Sequence, residues 1–130
     1  MLDIHILKLG AHVYGSICGD TLYISGHGDM YNLVWAHYLD EPDSRQTYVY
    51  GSDMIPYHCQ IKYIVVAPGV TSIGDFACSH LPYLTAVYLP NTINHIGVCA
   101  FGHNHNLQHV FMASHTTIDV NNLAFLDCKV

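Results

Sequence analysis

The sequence predicts a mainly β fold, a short solenoid of 23-residue coils stacked on an N-terminal β cap. Three observations carry this prediction. Residues 61–83 (IKYIVVAPGVTSIGDFACSHLPY) and 84–106 (LTAVYLPNTINHIGVCAFGHNHN) repeat one another almost column by column, and a third copy, 107–130, starts after the same step. Apolar anchors recur at the first, fourth and sixth places: Ile61, Leu84, Leu107; Ile64, Val87, Val110; Val66, Leu89, Met112. In the first two copies a turn follows the anchors at once, Ala67-Pro68-Gly69 and Pro90-Asn91-Thr92, where proline has no N–H to donate to a ladder.

Two regions follow from this, a capping region over 1–60 with an insert at 31–53, and three repeats at 61–83, 84–106 and 107–130. In the cap, residues 2–9 alternate as an edge strand with Ile4, Ile6 and Lys8 on one face, and Gly10 ends it. Residues 11–17 and 21–25 read as two further strands, closed by the turn Gly26-His27-Gly28-Asp29. Such a cap shields the first repeat's exposed end, which a solenoid requires. The insert holds an apolar stretch with the single Trp35, a solvated loop at 40–45 and a β-rich segment at 46–50. It is a candidate specificity element or a lid over the cap.

In each repeat the spacing of one, four and six places a short strand with its fourth and sixth residues on one face. Stacked copies pair these strands in parallel, and the aligned anchors fill one continuous core. A second apolar group follows: Val70, Ile73, Phe76 and Ala77, then Ile93, Ile96, Ala100 and Phe101. Gly74 and Gly97, each after an isoleucine, are expected to permit a tight bend or a positive φ. A fixed period of 20–29 residues with anchors at fixed offsets is the signature of a leucine-rich-repeat solenoid.

VTSIGDFACSHLPYLTAVYLP (70–90) and INHIGVCAFGHNHNLQHVFM (93–112) closely resemble the BspA-like subfamily of leucine-rich repeats. Its pattern is roughly V-T-S-I-G-x-x-A-F-x-x-C followed by L-x-x-V-x-I-P. Residues 15–30 look like the C-G-D … T-L-T-I-S-G-x-G-x-M stretch that often precedes such repeats, and Pro56-Tyr57 through Ile61-Lys62 resembles the lead-in to the first one. The resemblance covers about residues 15–130 and implies an interaction scaffold, since members are mostly described as surface or adhesion proteins. It transfers no catalytic residue, because its motif positions are core and turn. The chain departs from the pattern at Cys78, where phenylalanine is favoured, and in the third copy. That copy lacks the Ile-Gly pair and needs one inserted residue to align Ala124-Phe125 with Ala100-Phe101. Three copies also make it a short member.

Composition narrows the function classes. Half of the 130 residues are apolar and only 11 % are charged, well under the usual quarter, so the surface is expected to meet a partner or itself. Four Lys plus Arg against a net charge of −6 argue against nucleic acid, which needs basic clusters. No run of 18 apolar residues is present, so no transmembrane helix is expected. The first nine residues lack the cationic start of a secretory signal, and an intracellular location is expected. The five cysteines (18, 59, 78, 99, 128) form no C-x-x-C pair and read as buried thiols in a reducing compartment rather than a disulfide framework.

Strand residues two, three and five point away from the core, which gives the candidate partner-binding ladder Lys62, Tyr63, Val65; Thr85, Ala86, Tyr88; Gln108, His109, Phe111. Aromatic residues are typical interface anchors. The third copy ends without a polar capping segment, so Leu107, Val110, Met112, Ala124 and Phe125 are candidate self-association residues at an open edge, and a homo-oligomer is expected. Histidine is abundant, eleven in all. His80 and His103 share the twentieth column, to be stacked about 5 Å apart, with His105 two residues on. These are weak metal candidates, since no second ligand pair has a recognised spacing, and polar turn residues are the plainer reading. Protonating all eleven would move the formal charge from −6 to +5, so solubility or self-association is expected to change as pH falls through about 6.5.

No G-x-S-x-G, P-loop, H-E-x-x-H or G-x-G-x-x-G is present. Cys99 near His103 is explained by repeat packing. The expectation is therefore a non-catalytic protein-binding module with no cofactor and a protein partner of unknown identity. A self-assembling structural protein is the alternative, and histidine-mediated metal binding the minor one.

Overall fold

The computed structural model describes residues 5–34, 47–49, 60–112 and 118–130. Trp35, Cys59, His115, residues 40–45 and Pro56-Tyr57 lie outside the described residues. Each repeat supplies one longer strand, as the one-four-six spacing demands: β6 (Tyr63–Val66), β8 (Ala86–Leu89) and β10 (His109–Met112). Each also supplies a two-residue strand from its second apolar group: β7 (Ser72–Ile73), β9 (His95–Ile96) and β11 (Asp119–Val120). Upstream lie β1 (His5–Lys8), β2 (Val13–Cys18), β3 (Thr21–Gly26), β4 (Asn32–Val34) and β5 (Thr47–Val49). Among the described residues no helix is long and apolar enough to cross a membrane.

The longer strands form a six-stranded sheet in the order β1-β2-β3-β6-β8-β10, and the short ones a three-stranded sheet in the order β11-β9-β7. Ile64 pairs with Val87 and Val87 with Val110, so the anchors stack at a step of 23 residues. On the short sheet the step from β7 to β9 is 23, but His95 pairs with Asp119, a step of 24. The extra residue of the third copy therefore lies between Met112 and Asp119.

The columns are packed as expected. Ile61, Leu84 and Leu107 are fully buried, as are Ile64 with Val87, Ile73 with Ile96, and the alanines Ala77, Ala100 and Ala124. Phe101 is the largest fully buried side chain and stacks on Phe125 with ring centroids 5.5 Å apart. Complete burial of such a side chain stabilises by about 1.5–3 kcal/mol. Cys78 takes the equivalent place one coil earlier, and burial pushes its thiol from 9.0 up to about 12.

Four expectations are corrected. In the first strand the buried face is Leu7 and Leu9, while Ile6 is 72 % exposed, because the core lies under the residues of opposite parity. Val110 is only half-buried and Met112 is exposed, since β10 is the last strand of its sheet. Cys18 is an exposed free thiol on β2, unlike Cys78 and Cys99. Gly74 and Gly97 do not have the positive φ of Gly19, Gly26, Gly28 and Gly69; close approach of the neighbouring coil is what they permit.

The cap is continuous with the solenoid. β3 pairs in parallel with β6, Leu22 opposite Ile64 and Ile24 opposite Val66, so its apolar residues extend the fourth and sixth columns by one rung. Beyond it, Gly28 bridges to Val70 in parallel, the Met30 N–H donates to Ser72 Oγ at 3.3 Å and the Asp75 N–H to Asn32 Oδ1 at 2.9 Å. β2 and β1 then add antiparallel strands outside β3. The β-rich segment of the insert is β5, which pairs in parallel with β4 in a separate two-stranded sheet.

Candidate functional site

Because side chains alternate across a strand, residues at matched register form rows on the outer face of the six-stranded sheet. One row crosses all six strands: Ile6, Ser16, Tyr23, Val65, Tyr88, Phe111. A second runs Cys18, Thr21, Tyr63, Ala86, His109, and Lys8 stands opposite Tyr14. Tyr14, Tyr23, Tyr63, Tyr88 and Phe111 are each more than a third exposed. Tyr88 and Phe111 stack with ring centroids 4.9 Å apart and planes at 14°, and the His109 ring lies 5.7 Å from Phe111. Each ring thus braces its neighbour while keeping one side open to solvent.

Among Asp, Glu, Lys and Arg, the strand residues of this sheet include one, Lys8. Lys62 stands exposed just before β6. A face with rings and almost no charge presents apolar area that a partner can desolvate at little electrostatic cost.

Of the ladder expected from the repeats, Lys62, Tyr63, Tyr88, Gln108, His109 and Phe111 are exposed, Val65 and Thr85 are half-buried, and Ala86 is buried. Three residues of the face were missed: Ile6, Tyr14 and Tyr23. The signal for Tyr23 was present, since Thr21-Leu22-Tyr23-Ile24 repeats the alternation of Tyr63-Ile64-Val65-Val66.

The self-association set is only partly at the open flank. Leu107 and Ala124 are 0 % exposed within the chain's own core, so neither can reach a second molecule. Met112 is exposed, while Val110 and Phe125 are partly covered. Among the described residues of this coil, Val120, Leu123, Leu126 and Val130 are further exposed large apolar side chains.

The turns that follow the short strands hold His80, His103 and His105. His80, His103 and Asp127 have left-handed backbones, φ 59°, 59° and 61°, so they occupy the same place in successive turns. The His80 and His103 rings lie 4.8 Å apart with their planes tilted by 36°, close to the distance expected from their shared column. His103 Nδ1 lies 2.9 Å from Asp127 Oδ2, and His95 Nδ1 lies 2.9 Å from Asp119 Oδ2. His103, His105 and Asp127 each offer a ligand atom, all within 4.8 Å of one another. His80 is not one of the three. Asp127 escaped notice because a plain step of 23 from His103 lands on Leu126.

Cys99 sits in these turns without the setting of a nucleophile. It is 5 % exposed, and burial, followed by the nearby Asp75 carboxylate, pushes its thiol up. Reactive cysteines need the opposite, a lowered value in an electropositive and accessible place.

Comparison with known proteins agrees with this architecture. Residues 51–130 match the family model described as BspA type leucine rich repeat region (6 copies). A crystal structure of a leucine-rich repeat protein from Eubacterium ventriosum superposes with a TM-score of 0.62 at 22 % identity, over 85 % of this chain and 26 % of that one. The pneumococcal vaccine antigen PcpA gives a TM-score of 0.44 at 14 % identity, over 95 % of this chain and 42 % of that one. The chain therefore spans about a quarter of the length of the first of these structures, and the likeness is one of fold. No curated protein matches the chain.

Proposed function

The chain belongs to the BspA-type leucine-rich repeat family, and on that premise we propose that it is a protein-binding module whose contact surface is the outer face of the six-stranded sheet. The observation that carries this reading is the row Tyr23, Val65, Tyr88, Phe111 in unbroken register, with the Tyr88 and Phe111 rings stacked at 4.9 Å. Rings held in place before binding lose little side-chain freedom when a partner covers them. Tyr63 and His109 flank the row, while Lys62 and Gln108 belong to the polar rim. The partner is a protein with a weakly charged apolar patch.

A photo-reactive residue placed at Tyr23 is expected to cross-link one discrete partner from the native source. Tyr88→Ala with Phe111→Ala is expected to weaken that partner's binding at least about 30-fold, the loss of two anchors worth about 1–2 kcal/mol each, while the melting temperature stays within a few degrees. Unchanged binding by the double variant would remove this face from the reading.

A second reading rests on a different observation, the exposed apolar side chains Met112, Val120, Leu123, Leu126 and Val130 on the coil that carries the edge strands β10 and β11. Two copies joined by a two-fold axis would cover both edges. Sedimentation at pH 7.5 is then expected to show a dimer or larger species that Leu123→Lys with Leu126→Lys converts to monomer. The same measurement is repeated at pH 5.5. A wild-type monomer at both pH values would sink the reading.

A further inference from the structure

We propose that His103, His105 and Asp127 form a site for a divalent late first-row transition metal ion, zinc being the natural probe, that ties coil two to coil three. One ring nitrogen from each histidine and one carboxylate oxygen lie within 4.8 Å of one another, and this is the one such group of three among the described residues. Two imidazoles and a carboxylate are a donor set that zinc takes readily, with water completing a tetrahedron.

The backbone builds the group. Left-handed turns place His103 and Asp127 at the same point of successive coils, and the His103 N–H donates to the Leu126 carbonyl at 2.7 Å, fixing one turn against the other. Below, the His80 ring packs against His103 at 4.8 Å and limits how its imidazole can turn. Asn104, between the two histidines, is locked into the core by hydrogen bonds to Leu81 and Cys78, so His103 and His105 leave from a fixed segment. Ligand atoms about 2.0–2.2 Å from a tetrahedral ion sit roughly 3.3 Å apart. An ion would therefore open the 2.9 Å contact between His103 and Asp127 slightly and draw the widest pair inward. His105 and Asp127 are exposed and have room for that movement.

The pair His95 and Asp119 is a built-in control. It has the same 2.9 Å contact between the same two coils, yet it belongs to no group of three among the described residues.

The test is calorimetric titration of the whole chain, made without an affinity tag of histidines, using zinc chloride alone, with magnesium chloride as the comparison. One equivalent of zinc is expected to bind saturably, and magnesium not to bind. His105→Ala, and Asp127→Asn, chosen because asparagine tolerates the left-handed backbone, should each weaken zinc at least about tenfold. His95→Asn should leave it within about twofold. His105→Ala changes an exposed turn residue, so a matching circular dichroism spectrum in chelator keeps the comparison valid should Asp127→Asn disturb the turn. The absence of saturable uptake would overturn the proposal. So would uptake that neither substitution at 105 nor at 127 weakens, or that His95→Asn weakens as much, since either marks scattered binding by surface histidines.

Discussion

Replacing Gly74 with alanine is expected to lower the free energy of unfolding by about 3 kcal/mol, at the upper end of what overpacking costs. A Cβ built there would lie 2.0 Å from the Tyr31 carbonyl oxygen and 2.7 Å from its carbon. Both atoms are backbone of the rung below, so no rotamer relieves the clash. The approach is that close because the Asp75 N–H reaches down to Asn32 Oδ1 at 2.9 Å. Separating the coils would cost that bond as well, roughly 1 kcal/mol. Gly19→Ala is the comparison: its φ is +61°, but nothing lies within 4 Å of the added Cβ, so the left-handed backbone alone sets a cost of about 1 kcal/mol. Urea unfolding of both variants decides the matter. A Gly74→Ala protein within about 0.5 kcal/mol of wild type would mean that the rungs are not in close contact here.

A close approach to a different group recurs one coil up and then stops, for a visible reason. At Gly97 a Cβ would lie 2.2 Å from Asp75 Oδ1, the atom that accepts from the Val98 N–H at 2.8 Å. Each glycine thus precedes a residue whose N–H donates to an Asn or Asp acceptor of the coil below. Val98 offers no acceptor to coil three, and coil three carries Asn121 in place of glycine. The Ile-Gly pair marks a ladder of acceptors, which ends with the residues that make it.

What could be read in advance follows from how each feature is encoded. The columns Ile61, Leu84, Leu107 and Ile64, Val87, Val110 were legible because burial repeats with the coil, and a repeat is visible within one sequence. β3 was harder to place as a rung, because Leu22 lies 42 residues before its partner Ile64 and the insert breaks the period. The roles of Gly74 and Gly97 depend on which atom of another coil comes near, and local sequence carries no such distance. Asp127 was hidden by a single extra residue between Met112 and Asp119. On the sheet, Tyr63, Tyr88 and Phe111 were legible from alternation alone. The row became continuous only when the antiparallel β1 and β2 brought Ile6 and Ser16 into register with Tyr23.

The other large effect is expected at Asn104, where alanine should cost about 4 kcal/mol, the sum of two stranded backbone groups at about 1–3 kcal/mol each. Asn104 is 0 % exposed; its Oδ1 accepts from the Leu81 N–H at 2.7 Å and its Nδ2 donates to the Cys78 carbonyl at 2.8 Å. Alanine leaves both of those backbone groups buried without these partners. Asn104→Asp would fare no better, since a carboxylate cannot donate to a carbonyl. Coil three offers a graded comparison, because Cys128 Sγ donates to the Phe101 carbonyl at 2.9 Å one coil higher, the same bond made by a weak donor. Cys128→Ala is therefore expected to cost no more than about 1 kcal/mol. If Asn104→Ala and Cys128→Ala proved equally mild in urea unfolding, apolar packing and the backbone hydrogen bonds between turns would suffice to hold them. If the large difference is found, the asparagine is the clamp that holds coils one and two at their turns. The segment bearing His103 and His105 would then depend on it, and loosening it should also blunt zinc uptake.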